Sequence, residues 1–143
     1  MADRLSTESR SRIMRAIRSK NTKPELIVRR YLSARGYRYR LHSKRLPGKP
    51  DLAFPGRRKA IFVHGCFWHQ HSKPGCPIRI VPSSNRHYWG PKLRRNLVRD
   101  AEHLASLRKL GWKVLVVWEC SLRHDVERVC HRITRFLGPQ GRF

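Results

Sequence analysis

Apolar and polar positions along this 143-residue chain change their period several times, and the changes mark its elements. A helix opens at Thr22-Lys23-Pro24-Glu25. Thr22 is a capping residue type, Pro24 suits a first turn that needs no backbone donor, and Gly36 ends the run. Tyr37, Tyr39 and Leu41 then alternate with Arg38, Arg40 and His42, the period of a strand with one buried face. Residues 51–54 and 59–63 read as two strands joined by a turn at Pro55-Gly56. A long helix over about 91–110 carries Leu93, Leu97, Leu104 and Leu107 as its buried stripe and stops at Gly111. Residues 113–118, with their Val-Leu-Val-Val run, predict a fully buried strand. A last helix sets Val126, Val129, Cys130, Ile133 and Leu137 on one face. The order helix, three strands, helix, strand, helix predicts an α/β domain with a mixed central sheet flanked by helices.

Two stretches lack this patterning. Residues 1–22 are rich in Ser and Arg, with Ile13, Met14 and Ile17 as a short apolar patch, and read as a basic N-terminal arm. Residues 23–143 then form a single domain, long enough to bury a core without disulfides. Residues 65–90 are the second stretch, rich in Pro, Gly, Ser, His and Cys. So long a loop in a compact domain is functional or is held by something other than a core. It contains Cys66, His71 and Cys76, with four residues between each neighbouring pair, and Cys120 follows the last strand. Four N/S donors fit a closed tetrahedral zinc site, and structural zinc supplies on the order of 10 kcal/mol. The competing reading is buried thiols and scattered histidines. The turn Ser72-Lys73-Pro74-Gly75, which brings His71 to Cys76, favours zinc. Cys130 lies on an apolar helix face and reads as core.

Charge then narrows the function. Thirty-three Lys and Arg face nine Asp and Glu, a net charge of +24, the electrostatic footprint of a nucleic-acid binder. No apolar stretch is long enough to span a bilayer, no separate amphipathic helix marks a membrane surface, and the N-terminus lacks an apolar signal region. A cytoplasmic, nucleoid-associated bacterial protein without disulfides is expected, acting as a monomer. Phe67 and Trp68, beside the Cys and His donors, offer faces on which bases stack.

Pro50-Asp51 opens one strand, and Phe62-Val63-His64 lies on the next. The layout resembles the PD-(D/E)xK nucleases, whose acidic pair holds magnesium, a hard cation that takes oxygen ligands. Here Phe62 stands where the second acidic residue is usual and His64 where the Lys is. A narrower resemblance covers most of the chain, from about residue 11 to 122. Phe62-Val63-His64-Gly65-Cys66-Phe67-Trp68-His69 resembles the signature of the Vsr family of very-short-patch mismatch repair endonucleases. So do Asn21-Thr22-Lys23-Pro24-Glu25, Leu46-Pro47-Gly48-Lys49-Pro50-Asp51, Asn96-Leu97-Val98-Arg99-Asp100 and the run from Gly111 to Cys120.

The resemblance implies a restriction-endonuclease-like fold and a magnesium-dependent enzyme. It would nick one DNA strand 5′ to the thymine of a T·G mismatch left by 5-methylcytosine deamination, alongside general mismatch-repair proteins. It implies that Asp51 and the backbone carbonyl of Val63 hold magnesium. His69 would act as general base or acid, His64 would assist at the phosphate, and Glu25 and Asp100 would orient water or His on the metal shell. Cys66, His71, Cys76 and Cys120 would bind zinc, and Phe67, Trp68 and Met14 would wedge into the duplex. Each role has a plainer rival. Glu25 stands three residues after Thr22 and fits the return half of a capping box. His64 fits a core histidine, and Phe67 and Trp68 fit a cover for the zinc loop. Asp100 lies near the buried stripe of its helix, where an unpaired carboxylate is costly, so it needs a partner. Two alternatives to the whole reading stand: a same-fold enzyme that cuts both strands, and a zinc-stabilised DNA-binding protein without catalysis.

Overall fold

The computed structural model describes residues 22–66 and 86–139, with backbone alone for 86–89. Its elements are α1 (Lys23–Ala34), β1 (Arg40–Leu41), β2 (Leu52–Phe54), a 3₁₀ turn (Pro55–Arg57), β3 (Lys59–His64), α2 (Arg86–Lys109), β4 (Lys113–Trp118), α3 (Glu119–His124) and α4 (Val126–Leu137). The strands form one mixed sheet in the order β1-β2-β3-β4. The β1–β2 and β2–β3 pairs are antiparallel, and β3 runs parallel to β4 with α2 in the connection between them. A parallel neighbour needs such a crossover, while the antiparallel pair β2–β3 closes through a short turn.

Alternate strand positions feed a continuous core. Leu52, Phe54, Ile61, Val63 and Val117 pack with Val28 and Leu32 of α1, Leu122 of α3, and Val129, Ile133 and Leu137 of α4. Each such buried side chain contributes about 1.5–3 kcal/mol. Ala53, Ala60 and Phe62, the intervening positions, are buried outside that cluster, as are Leu93 and Leu107 of α2, so both faces of the sheet are covered. The rim of the hairpin holds the C-terminal helix. Arg57 Nη1 donates to Leu137 O at 2.7 Å, Lys59 Nζ to Phe136 O at 2.6 Å, and Tyr37 Oη to Gly138 O at 2.6 Å. Cations at a helix C-terminus satisfy its last carbonyls and oppose its dipole.

Several boundaries differ from the sequence expectation. The first strand is only Arg40–Leu41, and Leu41 is 37% exposed although the alternation assigned it to the buried face. His42 has a φ of +47°, and this left-handed residue ends the alternation. The long helix begins at Arg86, so Pro91 lies inside it. Leu97 is 43% exposed, because the buried stripe is rotated toward Asn96, Asp100, His103 and Leu107, all at least half-buried. β4 is not fully buried. It is the last strand of the sheet, and Val117 alone of its six residues is buried. The buried parallel strand is β3, which lies inside the sheet and is buried from Ala60 to His64. Val126 is exposed, whereas Cys130 sits in the core as expected. The short helix α3 was not foreseen.

Candidate active site

Glu25 lies on the buried stripe of α1 with Val28 and Leu32. Thr22 caps the helix, its Oγ1 accepting from Glu25 N at 3.4 Å. A carboxylate that served only the cap would stay at the surface, but Glu25 is 1% exposed. Its side chain turns inward to His42, whose Nε2 lies 3.0 Å from Oε1 and 2.9 Å from Oε2, and to Arg29, whose Nη1 is 3.3 Å away. Asp51, immediately before β2, is 9% exposed. Its Oδ2 accepts from Val63 N at 2.7 Å, which ties it to the C-terminal end of β3.

The two carboxyl groups meet. Burial raises the Asp51 pKa from 3.8 to about 8, opposed by the Val63 hydrogen bond and assisted by the charge of Glu25 and a hydrogen bond to it. Desolvation wins because backbone hydrogen bonds from Val63 and from Asp51 itself offset only part of the loss of water. One ligand atom each from Glu25, His42 and Asp51 lies within 4.8 Å of the others. Oxygen donors that repel one another unless a proton or cation lies between them suit a hard divalent ion, so the residues present fit a magnesium-type site.

Neighbouring elements complete the surroundings. Gly48, with φ +77°, sits against α2 so closely that an added Cβ would lie 2.8 Å from His103 Cβ. Asp100, half-buried, stands three residues earlier on the same helix. His64 ends β3, 5% exposed, in edge contact with Trp118 at 5.1 Å between ring centroids and tilted against Phe62 at 5.5 Å. The parallel register pairs His64 with Trp118, and two residues further the chains bring Cys66 and Cys120 together. The Cys120 backbone N–H points at Cys66 Sγ, 3.4 Å away. Cys66 is fully buried and Cys120 half-buried, and the contact between them runs from the Cys120 backbone to the Cys66 sulfur. Met14, Phe67, Trp68, His69, His71 and Cys76 lie outside the described residues, as does the arm over 1–21.

The sequence reading missed His42, placing it on the polar face of a strand. The antiparallel pairing of β1 with β2 was the usable signal. It sets His42 opposite Asp51, with His42 N donating to Asp51 O at 3.2 Å.

A buried carboxylate pair, Glu25 on α1 and Asp51 just before β2, in a chain of net charge +24 suits a protein that brings a cation to a nucleic-acid phosphate, and the relatives of the chain are enzymes of that class. The chain belongs to the Vsr family of DNA endonucleases. The family model described as DNA mismatch endonuclease Vsr matches residues 2–74. The chain is 50% identical over 139 residues to the type II nicking enzyme V.XorIIP of Xanthomonas oryzae pv. oryzae, covering 97% of this chain and 99% of that protein. It is 44% identical over 124 residues to the type II nicking enzyme V.NmeAIP of Neisseria meningitidis, covering 87% and 86%. It is 40% identical over 123 residues to the DNA mismatch endonuclease Vsr of Escherichia coli, covering 86% and 77%. Membership in an endonuclease family sets aside the non-catalytic alternative. Among the described residues no helix is long and apolar enough to cross a membrane.

Proposed function

We propose that the chain is a magnesium-dependent endonuclease that nicks one strand of duplex DNA 5′ to the thymine of a T·G mismatch. The observation that carries this reading is the buried Asp51–Glu25 pair, held by Val63 N and His42, in a chain similar to mismatch and nicking endonucleases. On this reading Asp51 and the Val63 carbonyl hold the cation, and the sheet belongs to the PD-(D/E)xK class with Glu25 contributing from the adjoining helix. The cation, when bound, supplies positive charge to the attacking water and to the leaving 3′ oxygen. His69 moves the proton of the attacking water, His64 steadies the phosphate, and Glu25 and Asp100 orient water around the cation or, for Asp100, the His69 ring. A positioned histidine is worth roughly a hundred- to ten-thousandfold in rate.

The names of the relatives favour nicking over double-strand cutting, because those 50% and 44% identical are called nicking enzymes. The test is strand cleavage of duplexes that differ only at T·G, T·A and C·G, with and without Mg²⁺. Nicking confined to T·G and to Mg²⁺ is expected. Asp51→Ala should lose that activity by several orders of magnitude and keep DNA binding, since the basic surface is untouched. Cleavage of matched duplex at the same rate, or full activity of Asp51→Ala, would overturn the reading.

Zinc is proposed at Cys66, His71, Cys76 and Cys120, supported by the approach of Cys120 to Cys66. Purified protein should contain one zinc per chain. Cys120→Ala should lose it and melt at lower temperature, because the metal's binding free energy is folding free energy.

A further inference from the structure

We infer that His42 is a positioning residue of the cation site: it holds the Glu25 carboxylate in the orientation that completes the carboxylate pair with Asp51. The inference rests on the reading of that pair as the cation site. Three observations carry it. The ring nitrogen Nε2 lies 3.0 and 2.9 Å from the two Glu25 oxygens, a forked contact that fixes rotation about the last side-chain bond of Glu25. The backbone of His42 is held at φ +47°, in the left-handed region, and its N–H donates to Asp51 O at 3.2 Å. A residue with a Cβ is costly there, and such strain persists where the surroundings demand a particular side-chain direction. Here it turns the ring out of the strand alternation and onto Glu25. Finally, Glu25 is 1% exposed, so water has little access to replace a lost donor, and Arg29 Nη1, at 3.3 Å from Oε2, lies farther from that oxygen than the His42 ring does.

An ionised carboxylate only accepts hydrogen bonds, so beside ionised Glu25 the Nε2 atom is the protonated ring nitrogen and has no lone pair for a metal. His42 therefore acts through Glu25 and is not a ligand. Partners of this kind typically govern metal affinity by about 10- to 100-fold.

The test is binding of Mn²⁺ alone and of Ca²⁺ alone to the full chain without DNA, followed calorimetrically. His42→Ala should weaken both ions about 10- to 100-fold. His42→Gln, whose amide can donate to the same carboxylate, should recover most of the loss. Ala and Gln keep a Cβ at the left-handed position, so backbone strain is common to both variants. Circular dichroism checks folding, and His42→Met, which keeps volume without the donor, replaces the Ala variant if that one unfolds. Equal affinity of His42→Ala and wild type would overturn the inference. So would a loss confined to Mn²⁺, which would mark the ring as a direct nitrogen ligand, or a failure of Gln to restore more than Met does. Asp51→Ala, run in parallel, separates the two levels: if it binds Mn²⁺ as tightly as wild type, the cation-site reading fails; if it loses binding while His42→Ala keeps it, the role of His42 alone fails.

Discussion

Asp51 meets opposing demands. Burial and the charge of Glu25 favour a neutral carboxyl, whereas the Val63 N–H at 2.7 Å favours the anion. Burial prevails, and the pKa rises to about 8 from 3.8. The linkage follows from the sign. Between these values the metal-free native state holds a proton that the unfolded chain has released, so the contribution of this group to stability is fully present below pH 3.8 and is lost as pH rises to about 8. Metal-free protein should therefore lose stability from pH 5 to pH 8. Asp51→Asn, which cannot ionise, should show a flatter profile. Urea midpoints of the two proteins at fixed ionic strength measure the difference, in which other titrating groups largely cancel. Parallel profiles would show that Asp51 does not carry the pH dependence. Mg²⁺ at pH 8 should restore wild-type stability and leave Asp51→Asn nearly unchanged, because the neutral amide is a poor partner for the ion.

At the scale of elements, the site depends on how closely α2 approaches the loop before β2. Gly48 is the contact, at φ +77°, and a Cβ there would sit 2.8 Å from His103 Cβ and 3.0 Å from its Cγ. Gly48→Ala thus adds backbone strain and pushes on a helix that also carries Asp100. It should cost about 1–3 kcal/mol, read as a shift in urea midpoint, and lower nicking more than DNA binding. Ala at Gly36, which has φ +83° but nothing within 4 Å of the added atom, should cost the backbone strain without the loss of nicking. The elements were legible in the sequence to different degrees. Thr22, Pro24 and Gly36 marked α1 because caps are local chemistry. The exposure of Leu97 and the only partial burial of most of β4 were not legible, since the same apolar run serves an inner or an outer strand and strand order is decided by pairing. Cys66 and Cys120 are 54 residues apart in the sequence, and the parallel register of β3 with β4 is what brings the Cys120 backbone to the Cys66 sulfur. His42 escaped notice because one left-handed residue reverses the side that strand alternation assigns.

At the scale of the whole molecule, the net charge of +24 has more than one use. Arg57 and Lys59 clamp the end of α4, and Arg29 faces Glu25, so these cations act within the fold. Exposed cations elsewhere can meet phosphates, where each neutralised contact releases counterions and steepens the salt dependence without reading sequence. Discrimination then has to come from elsewhere, and the aromatic pair Phe67 and Trp68 is the proposed source, by opening a mismatched step that is cheaper to unstack than a paired one. These two contributions separate experimentally. Replacing two exposed cations of α2, Arg95 and Arg99, by Ala should weaken binding to T·G and T·A duplexes alike and reduce the slope of log affinity against log salt by about 1–2. Replacing Phe67 and Trp68 by Ala should leave that slope intact and lower the ratio of nicking on T·G to that on T·A. The measurements are binding to both duplexes over a salt series and the nicking ratio at one salt concentration. An unchanged ratio in the aromatic double variant would assign the rings to packing, and recognition would then fall to hydrogen bonds on the mismatched bases themselves, which charge alone cannot supply.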